Sequence, residues 1–190
     1  LGYDTIAASG NHANTLHWIN NDGRVLESDM VLVDAGAEVD SLYTADVTRT
    51  LPVSGTFSEA QRKIYQAVLD AADASFAKAN EPGVRFRDLH NAAMEVLAER
   101  LESWGCLPEA SLPAQSLRLR ASTPPLDGAR HQPPPGPGRA RLREGSRGAL
   151  PGALLEPGMV FTIEPGLYFR ADDLLIPEEY RGIGVRIEDD

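Results

Sequence analysis

Two carboxylates stand where a fold would ordinarily avoid them. They lie in Met30 to Thr50, MVLVDAGAEVDSLYTADVTRT, in which two apolar runs, Met30 to Val33 and Leu42 to Val47, flank Gly36, Asp40 and Ser41. That pattern reads as a β-hairpin with a longer loop. Asp34 and Asp46 are equally far from such a turn, so an antiparallel ladder would put them opposite each other or nearly so, with Cβ atoms about 5 Å apart. Like charges facing each other destabilise a hairpin unless a cation or a shared proton compensates. The plainer reading is a pair of aspartates flanking a turn at a wet sheet edge, and on these residues alone the two stand level.

Two more carboxylates occur in comparable settings. Glu156-Pro157-Gly158 is a turn that launches MVFTIEPGLYF, a strand in which Val160, Thr162 and Glu164 share one face, with Pro165-Gly166 interrupting just beyond Glu164. The final stretch, GIGVRIEDD, alternates Val185 and Ile187 against Arg186 and Glu188, so the last two point from one face of a half-buried strand. Taken singly, each glutamate reads as a solvent-facing strand position. Together, Asp34, Asp46, Glu164 and Glu188 form a set of hard oxygen ligands suited to Mn²⁺, Mg²⁺ or a comparable divalent ion. Carboxylates shared between two ions about 3.5–4 Å apart are a known way to activate a hydroxide.

The elements that must position these groups follow from pattern. Residues 1 to 28 carry short β-like pieces, with His17 in TLHWI on the face of Thr15 and Ile19, where a structural role is the ordinary expectation; His12, in SGNHAN, is a weaker candidate still. After a turn at Pro52 to Gly55, Ser58 to Gln61 is a capping box opening a helix with Ile64, Val68, Leu69 and Ala72 on one stripe, ended by Pro82-Gly83. A second helix runs from Phe86 or Arg87 to Trp104, with Leu89, Ala93, Val96, Leu97 and Leu101 as its stripe, Gly105 as its stop and His90 on it, partly exposed. Both stripes read as core against a sheet.

Composition narrows the function. The net charge of −10 at 190 residues argues against a nucleic-acid partner, because phosphate binding needs a basic patch. No apolar run is long enough to span a membrane, and the start LGYDTIAASG has no signal-peptide pattern. The single cysteine, Cys106, reads as a buried or helix-end thiol and fits a reducing, cytoplasmic setting. Both ends read as cut inside pattern, so the chain is expected to be a fragment.

At this point three motifs converge. DAG followed by TADVTRTLPVSG, then EPGMVFTIEPGLYF, then GIGVRIEDD, resembles the catalytic domain of Xaa-Pro aminopeptidases (aminopeptidase P), in the pita-bread metallopeptidase family with prolidase, methionine aminopeptidase and creatinase. The likeness covers residues 1 to about 106 and 154 to 190. It implies an α+β pita-bread fold, incomplete here, with an irregular segment at about 107–153 and without the family's N-terminal domain. It further implies two divalent metal ions, usually manganese: Asp34 on one, Asp46 and Glu188 bridging both, Glu164 on the second and shuttling a proton. His17 matches the family's substrate-side histidine and Arg186 the arginine beside the bridging glutamate. A bridging hydroxide would attack the carbonyl before proline, in peptides with proline at the second position. A catalytically inactive pita-bread module that binds peptides or partners, and prolidase, are the competing readings; oligomeric state stays open.

The departure is in the middle. Where the resemblance calls for a histidine ligand in a stretch like HGTSHHLGLDVHD, the chain has a Pro-, Arg-, Gly- and Ala-rich run without periodicity, in which His131 is the only histidine. Reading the codons from Ala129 one base later can spell HGTSHHLGLDVHD. The expectation is therefore that about residues 113 to 152 are translated out of frame, and that the chain as written lacks its nitrogen ligand, binds metal weakly and turns over little.

Overall fold

In a computed structural model of the chain, the described residues are 2–106 and 152–190. His131 and nearly all of the irregular segment, with its proposed frame change, lie outside them.

The hairpin forms as β2 (Met30–Glu38) and β3 (Thr44–Pro52), with β1 (Ile6–Ser9) on the other edge of β2 in an antiparallel sheet ordered β1-β2-β3. Its register differs from simple symmetry about Asp40. The tip closes through Val39 N–H to Tyr43 O at 2.9 Å and Leu42 N–H to Val39 O at 2.8 Å, with Leu42 at φ 66°. That centres the ladder one residue later, so Asp34 faces Thr48 and Asp46 faces Gly36. The offset between the aspartates is two residues, which keeps both on one face as diagonal rather than opposite neighbours.

Ser58 caps α1 (Glu59–Ala79), accepting from the Gln61 backbone while Gln61 Oε1 accepts from the Ser58 N–H at 2.8 Å. Two of the helix's orphan donors are thereby satisfied. The stripe Ile64, Ala67, Val68 and Ala71 packs against Ala93, Met94, Leu97 and Leu101 of α2 (Phe86–Ser103), while Leu69 and Val96 are half-buried at the margin. Burying Ile64, Val68, Met94, Leu97 and Leu101 is worth about 1.5–3 kcal/mol each, and the alanines less. Cys106 is buried just past the end of α2, and burial raises its thiol pKa.

The strand expected over Met159 to Phe169 is shorter than its alternation suggests. Only β4 (Gly166–Tyr168) is regular, pairing with β5 (Gly184–Arg186), and Ile163 reaches Asp189 through an isolated bridge. Pro165 has no N–H to donate, which separates the two pieces. Glu164 sits at this break. Ala153 and Leu155 return along the start of α2 through Phe86 N–H to Ala153 O at 3.0 Å and Leu155 N–H to Val84 O at 2.9 Å.

β5 is buried on both faces, not half-buried. Val185 and Ile187 join the helical core, whereas Arg186 and Glu188, each 2% exposed, point the other way. Past β5 the chain crosses to β3, where Thr48 and Glu188 exchange backbone hydrogen bonds at 3.1 and 3.3 Å. Ile6, Asp34, Thr48 and Glu188 thus stand in one row across four neighbouring stretches of backbone.

Candidate metal centre

Asp34, Asp46 and Glu188 offer ligand oxygens that all lie within 4.8 Å of one another. Asp34 and Asp46 come from the same face of the hairpin, and Glu188 arrives from the β5 extension on the far side of Thr48. A buried cluster of like charges holds together only where something compensates.

Part of the compensation is visible. Arg186 Nη2 donates to Asp34 Oδ2 at 2.6 Å, Nε donates to Thr48 Oγ1 at 3.1 Å, and Nε lies 4.0 Å from Glu188 Oε2. Its Nη1 donates to Tyr168 OH and to the Leu16 carbonyl, each at 3.3 Å. Thr48 Oγ1 donates to Glu188 Oε2 at 2.6 Å. The Tyr3 hydroxyl lies between the two aspartates, against Asp34 Oδ1 at 2.6 Å and against Asp46 Oδ1. Burial, followed by hydrogen bonds to both aspartates, pushes the Tyr3 phenol pKa far up, so it serves as a donor.

One guanidinium does not balance this many carboxylates. Burial first pushes Glu188 up to about 8, with the neighbouring Glu164 charge adding to it and the Thr48 hydrogen bond opposing. Burial also pushes Glu164 up to about 7, against the Arg186 charge and with Asp46 and Asp34 reinforcing it. Without a cation, the cluster meets its charge excess by holding protons near neutral pH. A divalent ion would displace those protons, and an all-oxygen donor set of carboxylates suits a hard one. The residues present therefore fit a divalent metal.

Of the residues expected at the site, Asp34, Asp46, Glu188 and Arg186 come together. Glu164 is close enough to interact electrostatically with Glu188, but it is not part of the tight group; its Oε1 accepts from Thr162 Oγ1 at 3.4 Å. His17 is exposed on a turn, not on a strand, because residues 10–14 form a 3-10 helix and residues 15–20 continue as turns; Ile19 N–H bonds the His17 carbonyl at 3.0 Å. The neighbouring Leu16 is what touches Arg186. His12 stacks on Trp18 at 4.0 Å, a packing role.

Three site residues were not anticipated. Thr48 and Thr50 alternate with Asp46 on one face of β3, a polar stripe that TADVTRT displays openly. Tyr3 carries no such signal, since LGYDT gives no pattern to aim it. Gly36, the G of DAG, faces Asp46, and a Cβ there would collide with the Tyr3 ring and the Ala45 carbonyl.

The mixed helix and sheet fold thus carries a carboxylate cluster, with Asp34 and Glu188 buried and Asp46 half-buried, that has the donor set of a divalent-metal site. Metallopeptidase family M24 matches residues 1–190, and the chain belongs to that family. It is 52% identical over 195 residues to Xaa-Pro aminopeptidase 1 of Streptomyces coelicolor, covering 100% of this chain and 38% of that protein. Against the Xaa-Pro aminopeptidase of Escherichia coli the identity is 37%, over 99% of this chain and 41% of that one. The fold matches zinc-substituted E. coli aminopeptidase P in complex with product, with TM-score 0.77, 32% identity, and coverage of 98% of this chain and 41% of that chain. A glutamate-to-alanine variant of the same enzyme in complex with substrate matches with TM-score 0.77. The fold is thus that of the aminopeptidase P pita-bread domain, and the chain spans about two fifths of these relatives' length.

Proposed function

We propose that this chain carries the carboxylate part of a dinuclear metal centre for hydrolysis of an N-terminal Xaa-Pro bond, weakened in the written sequence by loss of a histidine ligand. The observation that carries the reading is the convergence of Asp34, Asp46 and Glu188 within 4.8 Å, on motifs spread over more than 150 residues of sequence. The similarity to Xaa-Pro aminopeptidases supports peptides with proline at the second position as substrates, and manganese in a cytoplasmic setting is the metal we favour.

In this reading Asp34, Asp46, Glu164 and Glu188 hold two divalent ions, which when bound supply Lewis acidity and an activated water. Arg186 and Tyr3 fix the aspartates' orientation through charge-assisted hydrogen bonds. Glu164, beside the cluster, would accept a proton from the attacking water and return it to the leaving amine. His17 follows Leu16, whose carbonyl accepts from Arg186, and its exposure leaves it accessible to a substrate at the rim.

The test compares the full chain as written with a version carrying HGTSHHLGLDVHD from Ala129 onward, each with added Mn²⁺ and an Xaa-Pro peptide. The written chain should bind metal weakly and release little N-terminal residue, and the altered chain should gain both. Stoichiometric two-metal binding with full turnover by the written chain would overturn the impairment.

A further inference from the structure

Thr48 stands at the middle of the carboxylate row, with Asp34 as its register partner on one side and Glu188 on the other. Its side chain is fully buried, at 0% exposure. The hydroxyl has one hydrogen and two neighbours. Arg186 Nε can only donate, so Oγ1 accepts there at 3.1 Å, and its own hydrogen goes to Glu188 Oε2 at 2.6 Å. We propose that Thr48 is the positioning residue of Glu188, its hydroxyl transmitting the placement of the Arg186 guanidinium to the carboxylate.

Two further features support the assignment. Thr50, the next residue on the same face, uses its hydroxyl in the same region: it donates to the Arg186 carbonyl at 2.9 Å and accepts from the Arg186 N–H at 3.2 Å. The two threonines therefore hold residue 186 by backbone and side chain together. Space is limited as well, because the Thr48 side chain is enclosed on every side, with no exposure to solvent. A small β-branched residue with one hydroxyl meets the demands of strand, space and donor direction.

The inference rests on the metal-centre reading for its consequence, and its test separates the two. Metal-free chains are unfolded in urea as a cycle of Thr48→Val, Glu188→Met and both together. Thr48→Val should lower the folding equilibrium constant about tenfold or more, as expected for a lost hydrogen bond to a charged group. With Met at 188 that penalty should fall at least about threefold. Equal penalties in the two backgrounds would overturn the proposal.

Calorimetry with Mn²⁺ supplies a second readout. Thr48→Val should bind about tenfold more weakly, and Thr48→Ser, which keeps the hydroxyl, should return to within about threefold of the parent, the scale seen for residues that orient ligands. Failure of serine to restore binding would also overturn the proposal. If the parent chain binds no Mn²⁺, the metal-centre reading fails, and the urea cycle still decides the role of Thr48.

Discussion

Replacing Arg186 with methionine gives the sharpest view of how the cluster is held. Its side chain is 3% exposed and lies 2.6 Å from Asp34, whose side chain is 10% exposed, so the substitution leaves a buried carboxylate without its cation. Breaking a buried pair from one side costs about 3–5 kcal/mol. At about 2–4 °C per kcal/mol for a chain of this size, the melting temperature should fall by roughly 6–20 °C. The penalty depends on charge. Methionine preserves most of the volume, and the Arg186 charge opposes the rise in the Glu164 value to about 7, so the metal-free variant should lose most at about pH 8, where Glu164 is ionised, and less at about pH 5. Thermal and urea unfolding of parent and variant at both pH values measure this. A penalty under about 1 kcal/mol, or one identical at both pH values, would refute the argument that Arg186 acts by compensating buried charge.

The remaining expectations address the cluster's protons and its supports. Glu164 and Glu188 have folded values of about 7 and about 8, above the ordinary carboxylate value of 4.5, so the folded chain holds protons that the unfolded chain releases. Their contribution to metal-free stability is full below about pH 4.5 and is lost as pH rises through 7 and 8, by at most about 1.4 kcal/mol per pH unit per group; a flat urea-unfolding profile from pH 5 to 8 would contradict this. Tyr3→Phe removes the hydroxyl between Asp34 and Asp46 and should cost about 1–3 kcal/mol in urea unfolding. Gly36→Ala forces a Cβ against the Tyr3 ring and the Ala45 carbonyl, and should lower both stability and Mn²⁺ affinity in calorimetry, whereas Ser58→Ala removes only a helix cap, costs about 1 kcal/mol and leaves Mn²⁺ affinity unchanged.

Much of this was legible in the sequence, and what was not has identifiable causes. Capping residues and 3.6-residue stripes act locally, so Ser58, Gln61 and the core faces of both helices could be read directly. The hairpin could be read as well, but its register depended on Leu42 adopting φ 66°, a choice that no residue type at 39–43 announces. Face parity survived because the resulting offset is even. The strand alternation around Glu164 overstated regular structure, since Pro165 cuts the ladder there. Turns after Asn14, where a strand was expected, set His17 on an exposed loop. Tyr3 was illegible because its role exists only once β1 and the hairpin are assembled. Thr48 could have been found, as a polar residue in phase with Asp46 on a strand whose partners carry the other carboxylates.

The account turns on whether these carboxylates hold a divalent ion together. The most direct measurement is a calorimetric Mn²⁺ titration of the full chain beside its Glu188→Gln variant. The account predicts binding by the parent and at least about tenfold weaker binding by the variant, because Glu188 closes the ligand set from the β5 side. Equal affinity in the two chains, or no binding by either, would contradict it.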